Sequence, residues 1–285
     1  MLLQQFVNGL VAGSVYALIA LGYTMIYGIL GIINFAQGEI YMYGAFGAVL
    51  VLAGTGDMSL AIVAGVGLAC LVGVLLERIA FRPLRGTHPL IPLISAIGSS
   101  IFLSSMALLV FGPNDRPFPR EFETTSYTFL NASITDLQII IISISLCLMT
   151  LLWLFVNLSR HGKAIQAVAM DGDAARLSGI NVNRAYVITF ILGSALSGVA
   201  GIFMAIYYNA TYPTMGLLPG LKAFSAAILG GVGSIPGAIL GGLVLGIAEN
   251  LGAAYISSNF KDAFAFIALV LVLIVRPRGI LGSRK

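Results

Sequence analysis

Long apolar runs, separated by short polar stretches, make up most of the chain. They fall near 6–28, 35–53, 59–76, 92–111, 137–157, 187–208 and 262–275. A helix of roughly 20 apolar residues crosses about 30 Å of hydrocarbon, so each run reads as a membrane span. The stretch 221–255 is long enough for two crossings, but Gly230-Gly231-Val232-Gly233-Ser234-Ile235-Pro236-Gly237 interrupts it. Glycine and proline at that density break a helix, which predicts a short helix, a break near 230–237 and then a full span. The expected fold is all-α: a polytopic transmembrane helical bundle of about 8–9 crossings. It forms one membrane domain over 1–285, because the loops are too short to fold alone.

The polar stretches orient the bundle. Loop 77–91 holds Arg78, Arg82 and Arg85, and loop 158–186 holds Arg160, Lys163, Arg176 and Arg184. The C-terminus holds Arg276, Arg278, Arg284 and Lys285. Lys and Arg in short loops mark the cytoplasmic side, so all three segments are expected there. Loop 112–136 is Pro-rich and mixed in charge, with Asp115, Arg116, Arg120, Glu121, Glu123 and Asp136, and is expected outside. From an external loop at 209–220 to a cytoplasmic C-terminus takes an odd number of crossings, which favours 221–235 as a crossing over a re-entrant hairpin. The same parity puts the N-terminus outside if all three early runs cross. The first run lacks a positive leader and continues past the length of a signal sequence, so it reads as a retained span.

Composition narrows the class. Hydrophobic residues make up 59% of the 285 and charged residues only 9%, whereas a soluble domain carries about 25% charged residues. The apolar excess must face lipid or other helices. The net charge of +4 comes from clusters between the runs, without aromatic-basic interleaving, so no nucleic-acid partner is expected. Cys70 and Cys147 both lie inside apolar runs, which argues against a disulfide framework and offers no metal spacing. His88 and His161 sit beside basic residues in loops and read as solvated polarity.

Enzyme chemistry finds no support in the residues. The apolar runs hold no Ser/His/Asp or Cys/His set, and no His-Glu-x-x-His occurs. Gly162-Lys163 is not a phosphate loop, since Asn157 stands where its first Gly belongs and Ala164 where Ser or Thr should follow. Leu177-Ser178-Gly179 begins like an ATPase signature that Ile180 and Asn181 do not continue. No catalytic residue, metal or cofactor is expected. The polar residues inside the runs or at their edges are candidates by default: Asn34, Gln37 and Glu39 early, Glu249 and Asn250 late. They either line a polar pathway or hydrogen-bond between helices. Lys222 lies at a membrane edge, where its stem can snorkel. The pairs Gly9/Gly13, Gly237/Gly241, Gly242/Gly246 and Ser197/Gly201 have the spacing of closely packed membrane helices.

Loop 158–186 carries the most information. Ala164 to Met170 is rich in helix formers. Asp171 is placed to cap a second helix, Asp173 falls in its first turn, where the dipole favours an acid, and Gly179 stands where a C-terminal cap belongs. A short helix from Asp171 to Ser178 is predicted on the cytoplasmic side.

Asp173-Ala174-Ala175-x-x-x-Gly179 resembles the Glu-Ala-Ala-x-x-x-Gly loop of ABC importer permeases, with Asp in place of Glu. Three more segments resemble the Liv-type permeases for branched-chain amino acids. They are Asn34-Phe35-Ala36-Gln37-Gly38-Glu39-Ile40, the Gly-rich Ala227–Ala238, and Lys261-Asp262-Ala263-Phe264 with the tail Arg276–Gly282. The likeness runs in family order over nearly the whole chain and is nearest to LivH-type subunits. It implies the permease subunit of an ATP-binding-cassette importer in a bacterial-type inner membrane. Such a subunit works with a second related permease, two cytoplasmic ATPases and an external binding protein. The loop containing Asp171, Asp173, Ala174, Ala175 and Gly179 would then dock on an ATPase. The cargo implied is leucine, isoleucine or valine. Urea and short amides use similar machinery, and a stand-alone channel or ion-coupled carrier is the alternative of another class.

Overall fold

The structure, a computed structural model, describes residues 2–118, 125–129, 132–276 and 279–282. Arg120, Glu121 and Glu123 of the expected external loop, and Arg278, Arg284 and Lys285 of the basic tail, lie outside the described residues. The helices are α1 (Leu2–Leu30), α2 (Gln37–Thr55), α3 (Met58–Leu76), α4 (Leu90–Phe111), α5 (Asp136–Leu158), α6 (Arg160–Met170), α7 (Gly172–Leu177), α8 (Val182–Tyr208), α9 (Leu217–Gly230), α10 (Ile235–Tyr255) and α11 (Lys261–Val275). Seven of them, α1 to α5, α8 and α10, are long and apolar enough to cross a membrane. Helix α9 has 14 residues and α11 has 15, so each spans only about 21–23 Å at the usual rise.

The interrupted stretch breaks where glycine and proline predict. Helix α9 ends at Gly230, Gly231 and Gly233 adopt positive φ (103° and 91°), and Ser234 caps α10 by accepting from the Gly237 N–H at 3.2 Å. One element was not foreseen. Loop 112–136 contains an antiparallel hairpin of β1 (Ser126–Phe129) and β2 (Ala132–Thr135), in register Ser126 with Thr135. Alternating Tyr, Phe, Ile and Thr in Ser126-Tyr127-Thr128-Phe129 and Ala132-Ser133-Ile134-Thr135 suit a strand. A capping box then starts α5: the Thr135 N–H donates to Gln138 Oε1 at 3.1 Å, and the Gln138 N–H donates to Thr135 Oγ1 at 3.4 Å.

Helix α1 is the axis. Its most apolar stretch is 94% buried, against 11% for α4. A helix apolar all round belongs in the centre, and one that leaves its apolar surface open in such a chain faces lipid. Helix α1 packs directly on α10, where Gly9 and Gly13 face Ile247, Gly246 and Leu243. A Cβ on Gly246 would overlap the Gly13 backbone, so this crossing needs glycine on both sides.

Contacts sort the connections to two ends. At one end the Ser133 N–H donates to Gln4 Oε1 (2.7 Å), the Gln138 amide donates to Asn8 Oδ1 (3.0 Å), and Arg116 and Thr211 exchange backbone bonds of 2.9 Å. At the other, Arg85 donates to Asn183 Oδ1 (2.7 Å), and the Tyr186 hydroxyl donates to the Ile29 carbonyl (3.2 Å). The Gly233–Pro236 turn borders one cavity with α5 and α6 there, and Ile280 and Leu281 donate to the Leu229 and Gly230 carbonyls. The start of α1 thus shares an end with the hairpin, and the final segment shares the opposite end with α6. Charge and parity predict the same grouping.

Candidate functional site

The predicted short helix is present as α7, six residues long. The Asp171 carboxylate accepts from the Asp173 and Ala174 N–H groups, both at 2.9 Å, satisfying donors a helix start leaves open. At the other end Gly179 adopts φ +80°, its N–H donates to the Arg176 carbonyl, and the Ile180 N–H donates to the Ala175 carbonyl, both at 3.0 Å. That is the double-bonded glycine cap that ends many helices. Ala175 turns inward and is buried, while Asp173 and Ala174 face out. Leu177 is 91% exposed and Met170 is 82% exposed. Leu177 at the end of the capped, charged α7 and Met170 at the end of α6 are two large apolar side chains on a surface suited to contact with another protein.

Helices α6 and α8 hold α7 to the bundle, and the α3–α4 connection braces α8. Asn181 caps α8, accepting from the Arg184 N–H at 3.0 Å. Two residues on, Arg85 from the α3–α4 connection bonds Asn183, pairs with the buried Glu77 and stacks on the Tyr186 ring with its guanidinium 3.7 Å from the centroid. Burial pulls the Arg85 pKa below its ordinary value, and the Glu77 carboxylate opposes that pull. Since Tyr186 also holds the last turn of α1, one guanidinium links α1, α3 and α8 at the α7 end. This node leaves no mark in the sequence, because Glu77, Arg85 and Asn183 do not form a contiguous motif and Asn183 lies far along the chain from the other two.

Of the five polar candidates, Asn34 lies in the α1–α2 connection and the other four within helices, and they separate into distinct environments. Asn34 donates to Gln37 Oε1 at 3.2 Å, and the Gln37 amide donates to the Gly193 carbonyl (2.9 Å) and to Ser197 Oγ (2.7 Å). Both are buried and hold the start of α2 against the middle of α8. Glu39 accepts from Ser100 Oγ at 3.2 Å, while its Oε2 has no partner among the described residues and the side chain borders a cavity of about 190 Å³ between α2, α4 and α9. Asn250 donates back to the Gly246 carbonyl of its own helix at 2.9 Å.

Glu249 lies elsewhere, in a cluster of charges. Lys222 Nζ is 2.8 Å from Glu249 Oε1 and 2.5 Å from Asp262 Oδ1, and Lys261 Nζ lies 3.7 Å from Glu249 Oε1. The cluster joins α9, α10 and α11. It borders a second cavity, of about 300 Å³, with Tyr16, Tyr41, Tyr208 and Tyr212. Lys222 is only 6% exposed. Rather than snorkelling as the sequence suggested, it points inward, because two carboxylates there compensate its burial. A lone cation and a lone anion in neighbouring apolar runs were the available signal that they pair. The partnership of Lys261 and Asp262 carried none.

Comparisons with known proteins agree with this geometry and are specific. Residues 5–274 match the family described as "Branched-chain amino acid transport system / permease component". The high-affinity branched-chain amino acid transport system permease protein LivH of Salmonella typhimurium is 45% identical, over 98% of this chain and 95% of that one. The high-affinity branched-chain amino acid transport system permease protein BraD of Pseudomonas aeruginosa is 46% identical over the same shares. Among solved structures, "PsaBC from Streptococcus pneumoniae in complex with Fab" aligns with a TM-score of 0.51 at 13% identity, covering 95% of this chain and 91% of that chain. At that identity it supports the fold alone. The chain belongs to the family of membrane permease components of branched-chain amino acid transport systems.

Proposed function

We propose that this chain is the LivH-like permease subunit of an ABC importer that carries leucine, isoleucine and valine into the cell. Family membership and 45% identity over nearly the full chain support the cargo class. The machine would comprise this chain, a second related permease, two cytoplasmic ATPases and an external binding protein, all assembled on the inner membrane. The α7 end, with the C-terminus, would face the cytoplasm, in keeping with its Lys and Arg.

The observation that carries the reading is α7. A helix of six residues has no intrinsic stability in water, yet this one is capped at both ends, anchored by Ala175 and joined to a spanning helix by a short hydrogen-bonded turn. ATP-driven closure of the ATPases would move α7 as a rigid piece, and α8 would carry the movement into the bundle. The bundle would then alternate between outward-facing and inward-facing packings, each favoured by a different bound partner. Loaded binding protein would dock on the opposite end, which includes loop 112–136.

Uptake in proteoliposomes holding the reconstituted complex tests the cargo. Leucine, isoleucine and valine are expected to accumulate when binding protein is outside and ATP inside. Accumulation of urea or a short amide, with none of these three, would overturn the cargo assignment and retain the machine.

A further inference from the structure

The charged cluster on α9, α10 and α11 has more structure than a tether needs. Two ammonium and two carboxylate groups meet where a membrane protein has few charges to spare. Replacing a buried ion pair by apolar side chains is often neutral or stabilising, so packing three helices together does not require one. Glu249 is fully buried: its Oε1 accepts from Lys222 at 2.8 Å with Lys261 3.7 Å away, the Tyr16 hydroxyl stands beside the same carboxylate, and its Oε2 has no hydrogen-bond partner among the described residues. An unpaired carboxylate oxygen beside a cavity carries a desolvation cost unless a donor visits it.

The cavity has the size and polarity for such a visitor. Its volume of about 300 Å³ lies at the lower limit of ligand pockets, suited to a small metabolite. Lys261 and Asp262 are part-exposed at its mouth, with side chains 36% and 52% accessible, whereas Lys222 and Glu249 form its floor. Met215 and Leu218 add apolar wall. The mouth belongs to the end that holds the hairpin and the Arg116–Thr211 bridge.

The geometry points to a transient binding site for a zwitterionic α-amino acid within this single subunit, on the side where cargo arrives. The α-ammonium would donate to Glu249 Oε2, the α-carboxylate would pair with Lys261, and the aliphatic side chain would lie on Met215 and Leu218. Formal charge in the cluster sums to zero, which suits a ligand that is itself neutral overall. Binding would compete for the contacts Lys261 makes with Glu249, so occupancy would loosen α11 from α10. This inference rests on the proposed function, since it takes its ligand from the same cargo class.

Substrate protection of a reporter cysteine tests it. The chain would carry Cys70→Ala, Cys147→Ala and Ala210→Cys, the last at the cavity rim, in complexes first shown to accumulate leucine. A membrane-impermeant maleimide is then added with and without leucine. Leucine at about ten times its half-protecting concentration is expected to slow labelling by about tenfold, as mass action requires. Leucine methyl ester and 4-methylpentanoate, each lacking one charge, are expected to protect at least tenfold more weakly. Glu249→Gln and the more accessible Lys261→Met should each raise the half-protecting leucine concentration by roughly tenfold or more. Lys261→Met keeps the test open if Glu249→Gln fails to assemble. A cluster that merely tethers helices would give equal protection by all three ligands or none. Either result overturns the site, and labelling unaffected by leucine in a complex that transports it would do so without touching the transport assignment.

Discussion

Asp171 and Gly179 bracket α7 from opposite ends, and each makes a prediction at its own position. Asp171→Ala removes the acceptor for two N–H groups and should destabilise the helix by about 1 kcal/mol. Amide hydrogen exchange over 173–178 is expected to speed up by about fivefold. Asp171→Asn keeps an acceptor and should exchange much as the parent does. Gly179→Ala places a Cβ on backbone at φ +80°, costing about 1–2 kcal/mol, and should fray the same amides from the other end. Both residues were legible in the sequence, because capping is a local rule acting across a few positions. Lys222 was not legible. Its partner Glu249 is 27 residues away on another helix, and the rotation of α9 that turns the ammonium inward is set by packing.

At the scale of elements, the spans and the Gly-rich break come directly from apolar length and helix breakers. The glycine spacing also foretold a close crossing, though not that Gly9 and Gly13 would face α10. Replacing Gly246 with Leu should push α1 and α10 apart, because its Cβ meets the Gly13 backbone. Overpacking of that kind costs about 1–3 kcal/mol or more, so the detergent-solubilised complex should unfold at a lower temperature. Gly98→Ala, which adds a Cβ into open space on α4, should leave the unfolding temperature unchanged or raise it slightly. Two features escaped the sequence. The hairpin β1–β2 occupies strands of four residues, too short for alternation to stand out. The entry point of α2 is fixed by Gln37 bonding to Gly193 and Ser197, a contact across more than half the chain.

Over the whole molecule, the α7 end and the charged cavity lie at opposite ends of one bundle. The Arg85 node is the strut on the α7 side, since it holds α8 to α3 and, through Tyr186, to α1. Lysine lacks the planar fork that bonds Asn183 and Glu77 while stacking on an aromatic ring. Arg85→Lys should therefore let α7 move without the bundle following. Leucine uptake by the complex is expected to fall severalfold while ATP hydrolysis continues, read as transported molecules per ATP. Proportional loss of both activities would make Arg85 a packing residue only.

The central claim is that energy enters this chain through α7. Its most direct test is ATP-dependent leucine uptake by vesicles holding the assembled complex, comparing the parent chain with one carrying Ala175→Glu and Gly179→Pro. These changes bury a charge under α7 and destroy its glycine cap. Uptake that requires ATP and binding protein, and is abolished in the variant although the complex assembles, is the predicted result. Uptake that persists without ATP, or survives the loss of α7, would contradict it.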